Sequence, residues 1–200
     1  MPLIIETIVT TRAKSGEVHI APLGLIQRDA HWIIAPFTPS TTLTNLRENP
    51  VAVANHVDDV RIFAGCVTGR KKWVVKRAEK VDGAVLKAAL THWELKVEAI
   101  EEDDVRPRFV CSTVFAGDHT PWGGFNRAQA AVLEAAVLCT RLKMLPKEKV
   151  ETELAYLEIA ISKTAGEREL EAWGWLMERI EAWRRASSSN DVGGSPPSRG

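Results

Sequence analysis

The sequence predicts an α+β fold in which an antiparallel β domain precedes three helices. Residues 1 to about 117 contain several short apolar runs separated by turns, with no long helix between them. This pattern is typical of an antiparallel barrel or sandwich. After residue 121 the apolar residues recur at helical spacing. We therefore divide the chain into a β domain (residues 1–120), a helical region (121–186) and a low-complexity tail (187–200) that we expect to be disordered.

Three apolar runs open the β domain. Leu3–Thr10 is rich in β-branched residues and predicts a strand. A turn that contains Lys14 and Gly16 separates it from the run Val18–Ile26, so these two runs form a hairpin. A second short polar turn leads to the run Trp32–Pro36.

A hydroxyl-rich segment follows the third run. Ser40 precedes a short helix from Thr41 to about Glu48, which Pro50 closes, and a further strand follows at residues 51–55. The first turn of a helix has free N–H groups, and Thr41 and Thr42 add hydroxyls beside them. This helix start is therefore suited to an anion such as a phosphate.

The second half of the β domain has a mixed pattern. We expect Arg61–Thr68 to be a strand and Ala84–Leu90 to be a short helix. Trp93–Ile100 alternates apolar and polar residues, which indicates a half-buried antiparallel strand. An acidic turn then leads to Phe109–Phe115, its expected hairpin partner.

Three helices are predicted after the β domain. Asn126 is a suitable N-cap for a helix that runs to about Met144. Pro146 begins a second helix, which Gly166 ends. The third helix extends over Glu167–Arg185 and carries its apolar residues at helical spacing.

The composition narrows the classes of function. A 45% hydrophobic content supplies a core, and a net charge of zero argues against a general nucleic-acid or acidic-membrane surface. No apolar run is long enough to span a membrane. The three cysteines are widely spaced and form no C-x-x-C pair, so we expect a reduced, cytoplasmic protein.

Few residues show a catalytic or metal-binding pattern. The five histidines lack H-x-H or H-x-x-x-H spacing, so no dedicated zinc site is predicted. Asp58 and Asp59 fit a solvated turn better than a catalytic pair, and the cysteines fit packed thiols. Dinucleotide-binding, P-loop and hydrolase motifs are absent from the sequence.

Several motifs carry a resemblance to a known class of proteins. They are the strand Val18–Pro22, the loop Phe37–Thr42 and the short helix that ends at Asn49–Pro50. This order resembles the FMN-binding split-barrel flavoproteins, which include pyridoxamine-phosphate oxidases and flavin reductases. More closely, the sequence is similar to the DUF447 family, through VHIAPLG, IIAPFTPSTTLTNL, the run Asn55–Phe63, HWEL and GFNRAQAAVLEAAVLCTRL.

The resemblance implies a split β-barrel that binds FMN at a homodimer interface. It places the phosphate near Ser40–Thr42 and the flavin ring against Val18–Gly24. The oxidases have basic side chains in the phosphate loop where this chain has hydroxyls, so we expect a basic residue from elsewhere, such as Arg12, Lys14 or Arg127, to meet the phosphate charge. The cofactor-binding residues implied are Val18, His19, Ile20, Ala21, Pro22, Ser40, Thr41, Thr42, Asn45 and Asn55.

Three hypotheses for function follow. The first is an FMN flavoprotein, an oxidoreductase of unknown substrate that transfers electrons or hydride as a homodimer. The second is a flavin or ligand carrier without catalysis. The third is a structural dimer whose helices recruit a partner. None of them involves nucleic acid, a membrane or a metal.

Overall fold

The computed structural model describes residues 2–70 and 72–191, and it comprises eight strands and five helices within those residues. The secondary structure alternates in the first half and is helical after residue 126. In chain order the elements are β1 (Ile4–Arg12), β2 (Val18–Arg28), β3 (His31–Ile34), α1 (Thr41–Glu48), β4 (Val51–His56), α2 (Arg61–Thr68), β5 (Val75–Arg77), β6 (Ala84–Leu86), β7 (Thr91–Glu101), β8 (Arg108–Asp118), α3 (Arg127–Arg141), α4 (Lys147–Thr164) and α5 (Glu167–Asp191).

Six antiparallel strands form a closed barrel in the order β1-β2-β3-β8-β7-β4. The α+β class, the antiparallel sheet and the three C-terminal helices agree with the sequence-based prediction. Strand β4 closes the barrel by pairing with β1 over only three residues, Ile8–Thr10. Strands β5 and β6 form a separate two-stranded ribbon outside the barrel.

The strands separate two hydrophobic cores, because alternate side chains point to opposite faces of a sheet. Val9, Leu25 and Phe109 belong to the core inside the barrel, which Leu46 of α1 joins. Ile8 and its outward-facing neighbours belong to a larger core that includes the ribbon, α2 and the C-terminal helices. The three helices are therefore packed on the barrel as an integral layer.

Two predicted elements were wrong. Arg61–Thr68 is the helix α2 instead of a strand, and Gly69 ends it in the left-handed conformation with φ of 87°. Ala84–Leu90 is not a helix, because Ala84–Leu86 pairs with β5 as the strand β6. Both segments are short and apolar, and such runs fit a buried strand and a buried helix equally well.

The C-terminal helix is longer than predicted. Helix α5 continues to Asp191, past the expected end at Arg185 and into the segment that we expected to be disordered. The rest of the predicted tail, residues 192–200, lies outside the described residues. Within the described chain, no helix is both long and apolar enough to cross a membrane.

Candidate functional site

One edge of strand β2 is open along most of its length. Strand β1 pairs with β2 continuously, from Val18 to Ile26. On the opposite edge, β3 pairs with β2 only at Ile26–Arg28. Over Val18–Leu25 this second edge therefore has no strand partner among the described residues, although the short β2–β3 pair closes the barrel.

The hydrogen-bond phase of the β1–β2 pair determines which backbone groups face the open edge. Ala13 N–H donates to the Glu17 carbonyl, and Gln27 N–H donates to the Leu3 carbonyl. These two bonds show that the odd-numbered residues of β2 form hydrogen-bonded pairs with the odd-numbered residues of β1. In an antiparallel pair the alternate residues direct their N–H and C=O groups away from the partner strand. Even-numbered residues of β2 therefore present their polar backbone groups to the open edge.

This alternation divides the predicted ring-contacting residues into two sets. Val18, Ile20 and Pro22 direct backbone groups to the open edge, whereas His19 and Ala21 are paired with Thr11 and Val9 of β1. Proline has no N–H, and its position at an unpaired edge removes no ladder hydrogen bond. The Cys66 thiol approaches the Ile20 carbonyl at 3.7 Å. The edge thus offers alternating donors and acceptors.

Helix α1 contacts both β1 and β2. Ser40 is the N-cap, and its hydroxyl accepts a hydrogen bond from Leu43 N–H at 3.3 Å. Thr41 is exposed, whereas Thr42 is buried. The amides of the first helical turn have no partner within the helix, so Thr41 and its neighbours can receive an anion there.

The loop that leads into α1 is held by the loop before β8. Thr38 N–H donates to the Val105 carbonyl at 2.9 Å, and Arg106 Nε donates to the Ala35 carbonyl at 2.8 Å. The Arg106 guanidinium also lies 4.7 Å from the centre of the Phe37 ring. Arg106 is therefore a cation fixed beside this loop, and the sequence alone gave no reason to select it.

The basic residues that we considered for a phosphate lie elsewhere. Arg12 and Lys14 line a cleft with Glu48 and Asn49, at the C-terminal end of α1. Arg127 lines a different cleft, between α3 and α4. An eight-residue helix is about 12 Å long, so Arg12 and Lys14 are separated from the helix start by roughly that distance.

The two predicted asparagines have internal partners. Asn55 is fully buried, and its Nδ2 donates to the Ile8 carbonyl at 3.0 Å and the Val53 carbonyl at 3.2 Å. Its Oδ1 accepts from Leu86 N–H at 2.8 Å, so Asn55 joins β1, β4 and β6. Asn45 is also buried and donates to Thr11 Oγ1 at 3.1 Å. Both side chains stabilise the scaffold in this conformation.

Other candidate residues also have structural contacts. Asp59 accepts three hydrogen bonds from Arg61, from its backbone N–H, its Nε and its Nη2, at 2.7–3.1 Å. Arg61 in turn reaches Glu171 of α5 at 2.9 Å. Burial raises the pKa of Cys111 to about 12 and that of Cys139 to about 11, so both thiols are protonated at neutral pH. These residues hold the fold together.

A chain of polar side chains on the outer face of β7 was missed by the sequence analysis. Glu94 accepts backbone hydrogen bonds from residues 79–81 at 2.6–2.9 Å, and His92 Nε2 lies 3.4 Å from Glu94 Oε1. His119 Nε2 contacts His92 Nδ1, and Lys76 Nζ lies 3.5 Å from His119 Nδ1. The segment His92-Trp93-Glu94 could have predicted the contact between His92 and Glu94. Residues i and i+2 of a strand lie on the same face, so these two polar side chains are neighbours.

The hydrogen bonds of this chain can all be donated in one direction, from Lys76 toward Glu94. Lys76 can only donate, so His119 Nδ1 accepts, and His119 Nε2–H then donates to His92 Nδ1. His92 Nε2–H donates in turn to the Glu94 carboxylate. Burial lowers the pKa of His119, and the positive charge of Lys76 lowers it further. In this arrangement each ring has one donor nitrogen and one acceptor nitrogen.

A second cleft missed by the sequence analysis lies beside the start of β7, where Thr91 lines it. It has a volume of about 510 Å³ and is lined by His56, Trp122, Phe125 and Gln129, among others. The Phe125 side chain is 98% exposed, and it packs edge-on against Trp122 with ring centres 4.6 Å apart. His56 Nε2 is buried without a hydrogen-bond partner, and the His56 ring lies edge-on to Trp93 at 4.3 Å. Among the described residues, no group of three His, Cys, Asp or Glu side chains could hold a metal ion.

The antiparallel barrel with an open strand edge and a C-terminal helical layer places the chain among the α+β proteins. The sequence profile of the DUF447 N-terminal domain, a domain of unknown function, matches residues 5–119, and that of the DUF447 C-terminal domain matches residues 126–178. The chain therefore belongs to the DUF447 family. No curated protein matches it.

Two solved structures have a similar fold. One is the FMN-bound protein MM1853 from Methanosarcina mazei, a DUF447 protein, with a TM-score of 0.75 and 22% identity over 88% of this chain and 94% of that chain. The other is flavoredoxin from Methanosarcina acetivorans, with a TM-score of 0.51 and 18% identity over 58% of this chain and 69% of that chain. Both are below 25% identity, so these likenesses establish a shared fold.

Proposed function

We propose that this protein is an FMN-binding flavoprotein that acts as an oxidoreductase and functions as a homodimer. The observation that carries the proposal is the open edge of β2 over Val18–Leu25. The exposed helix start at Ser40–Thr42 is the second feature that fits FMN. The FMN-bound relative of the same family has this fold and supports the choice of cofactor.

The open edge fits the polar side of a flavin ring. The pyrimidine part of the ring has two carbonyl acceptors on either side of an N3–H donor. Along the edge, the Pro22 carbonyl is an acceptor that suits N3–H, and the Gly24 N–H is the neighbouring donor for one ring carbonyl. A rigid strand can hold these two groups in place without the loss of side-chain freedom.

The helix start fits the phosphate. Thr41 N–H and its exposed hydroxyl, together with the half-exposed Ser40, face solvent at the positive end of α1. A helix N-terminus supplies only about half a unit of positive charge, whereas a phosphate monoester carries between one and two negative charges. Arg106 beside the same loop is the cation that can complete the balance. This assignment replaces Arg12, Lys14 and Arg127 in that role.

When bound, FMN supplies the redox chemistry by accepting and donating electrons or hydride. The residues of this chain bind and orient it. The backbone groups of the open edge would hold the polar side of the ring by hydrogen bonds in the plane of the ring. The homodimer is supported by Phe125 and Trp122, since large exposed aromatic side chains commonly mark a protein interface.

The proposal is tested by titrating the purified protein with FMN and recording the visible spectrum. We expect binding with a perturbed flavin band, followed by bleaching when NADH or NADPH is added. FMN methylated at N3 lacks the central donor, so it should bind about tenfold or more weakly if the Pro22 carbonyl contacts N3. A protein that binds neither flavin contradicts the proposal.

The two alternative hypotheses give different results in the same experiments. A flavin carrier binds FMN but shows no turnover with any donor and acceptor. A structural dimer that recruits a partner binds no flavin. The open edge of β2 favours the flavoprotein over the structural dimer, because it leaves backbone donors and acceptors for a ligand.

A further inference from the structure

A basic groove lies between the β1–β2 hairpin and the β5–β6 ribbon. It has a volume of about 470 Å³, and its lining includes Arg12, Val18, Lys76, Arg77 and Ala84. This volume is within the range of small-molecule sites. The walls combine cationic side chains with apolar ones, so the groove is suited to an anionic group attached to an organic one.

The charge of the groove is positive after the internal ion pairs are counted. Arg12 is paired with Asp82, and its Nε donates to the Gly16 carbonyl at 3.2 Å. Lys76 and Arg77 have no carboxylate partner among the described residues. Two cations therefore remain available to a ligand.

The position of Lys76 is set by the polar chain behind it. Its Nζ lies 3.5 Å from His119 Nδ1, and His119 is connected through His92 to Glu94. The carboxylate of Glu94 is fully buried and is fixed by backbone amides. A lysine oriented in this way loses less side-chain entropy when it binds an anion than a free surface lysine does.

The groove is distinct from the proposed FMN phosphate site. Arg12 also lines the cleft at the C-terminal end of α1, about 12 Å from the helix start. Val18 is shared between the groove and the open edge of β2. Val18 and Pro22 are four residue steps apart on the strand, which is about 13 Å. A ligand held in the groove by its phosphate can therefore extend along the edge toward the ring.

We propose that this groove binds the phosphate of a second ligand, a nucleotide-like organic phosphate whose organic part extends along the β2 edge toward the flavin. The inference rests on the proposed function for the flavin beside that edge, whereas the phosphate site itself does not depend on it. Arg77 and Lys76 bind the phosphate, and His119 is a positioning residue for Lys76.

The test uses AMP and adenosine as probes in isothermal titrations of the full-length protein, with and without FMN. We expect AMP to bind at least tenfold more tightly than adenosine. Arg77→Gln and Lys76→Gln should each weaken AMP about tenfold or more, because each removes one charge-assisted contact. Lys87→Gln is the matched control, since Lys87 is an exposed cation at the end of the same ribbon and does not line the groove. It should leave AMP binding unchanged.

Four results separate this proposal from the proposed function. Equal affinity for AMP and adenosine overturns the phosphate site, and so does an equal loss of AMP affinity in Lys87→Gln. If Arg77→Gln weakens FMN but not riboflavin, the groove holds the phosphate of FMN itself, and the second-ligand proposal is wrong. If the protein binds AMP with the expected variant pattern but binds no flavin, the phosphate site stands and the flavoprotein proposal fails.

Discussion

His119 Nε2 lies 2.9 Å from His92 Nδ1, and the two imidazole rings are stacked with an interplanar angle of 7°. This pair connects the exposed Lys76 to the fully buried Glu94. Glu94 accepts three backbone hydrogen bonds and so fixes the loop before β6. The same carboxylate therefore supports both the ribbon and the basic groove.

Glu94→Gln should destabilise the protein. The glutamine amide replaces one acceptor oxygen by a donor and leaves at least one buried backbone N–H unpaired. We expect the free energy of unfolding to fall by about 2–4 kcal/mol at pH 7, measured by urea denaturation. Glu102→Gln is the control, because Glu102 forms an exposed ion pair with Arg47 and should contribute little.

The effect of Glu94 should depend on pH. Burial raises the pKa of Glu94, but the hydrogen bonds from the backbone amides of residues 79–81 and from His92 outweigh it, so the pKa lies below the usual 4.5. A carboxyl with a depressed pKa stabilises the folded state above its unfolded pKa, and the contribution is lost as the pH falls through the folded pKa. The difference between wild type and Glu94→Gln should therefore shrink below about pH 4. A constant difference down to pH 3 would contradict this account.

Thr41→Val should weaken FMN but not riboflavin. Thr41 is exposed at the first turn of α1 and has a hydroxyl that can donate to a phosphate. The loss of one hydrogen bond to a charged acceptor costs roughly 1.5–3 kcal/mol, or about tenfold to a hundredfold in affinity. Fluorescence titrations with FMN and with riboflavin measure the two affinities in wild type and variant. Thr44→Val, one turn later on the same helix, removes a hydroxyl that donates to the Ser40 carbonyl and should have less effect.

Asn55→Ala should reduce stability without a specific effect on the cofactor. The buried amide joins three strands, and its removal leaves Leu86 N–H without an acceptor. We expect a loss of about 2–4 kcal/mol in the free energy of unfolding. FMN affinity of the folded fraction should not change, as measured at low temperature where the variant is folded. A selective loss of FMN affinity at unchanged stability would restore Asn55 as a cofactor ligand.

Phe125→Ser should shift the protein from dimer to monomer in sedimentation experiments. Phe125 is 98% exposed in the single chain and is paired with the 57%-exposed Trp122. Burial of these aromatic groups against a second copy would stabilise a dimer. Met144→Ser is the control, since Met144 is 81% exposed and does not line the cleft with Phe125. An unchanged dimer in Phe125→Ser would exclude this loop from the interface.

The thiols of Cys111 and Cys139 should not react with a disulfide reagent in the native protein. Burial raises the pKa of the two groups to about 12 and about 11, so almost no thiolate exists at pH 8. Reaction with 5,5′-dithiobis(2-nitrobenzoic acid) should become complete only in denaturant. Rapid labelling of Cys111 in native protein would show that the barrel opens on that timescale.

The sequence by itself determined the elements whose signals are local. Helix α1 begins at Thr41 and ends at Glu48 as predicted, because Ser40 caps it and Pro50 follows it closely. The alternation of apolar and polar residues also predicted β7, and the N-cap Asn126 predicted the start of α3. In each case, the residues that specify the element lie within the element or next to it.

Tertiary structure decided the features that depend on residues far apart in the chain. The α2 segment is a helix because it packs between β2 and α5, and Ala84–Leu86 is a strand because β5 pairs with it. The edge of β2 is open because β3 pairs with β2 over only three residues. No local sequence pattern specifies where this pairing stops. Arg12 lies at the C-terminal end of α1, and His92 contacts His119. Both contacts result from the closure of the barrel, which brings together residues that are far apart in the sequence.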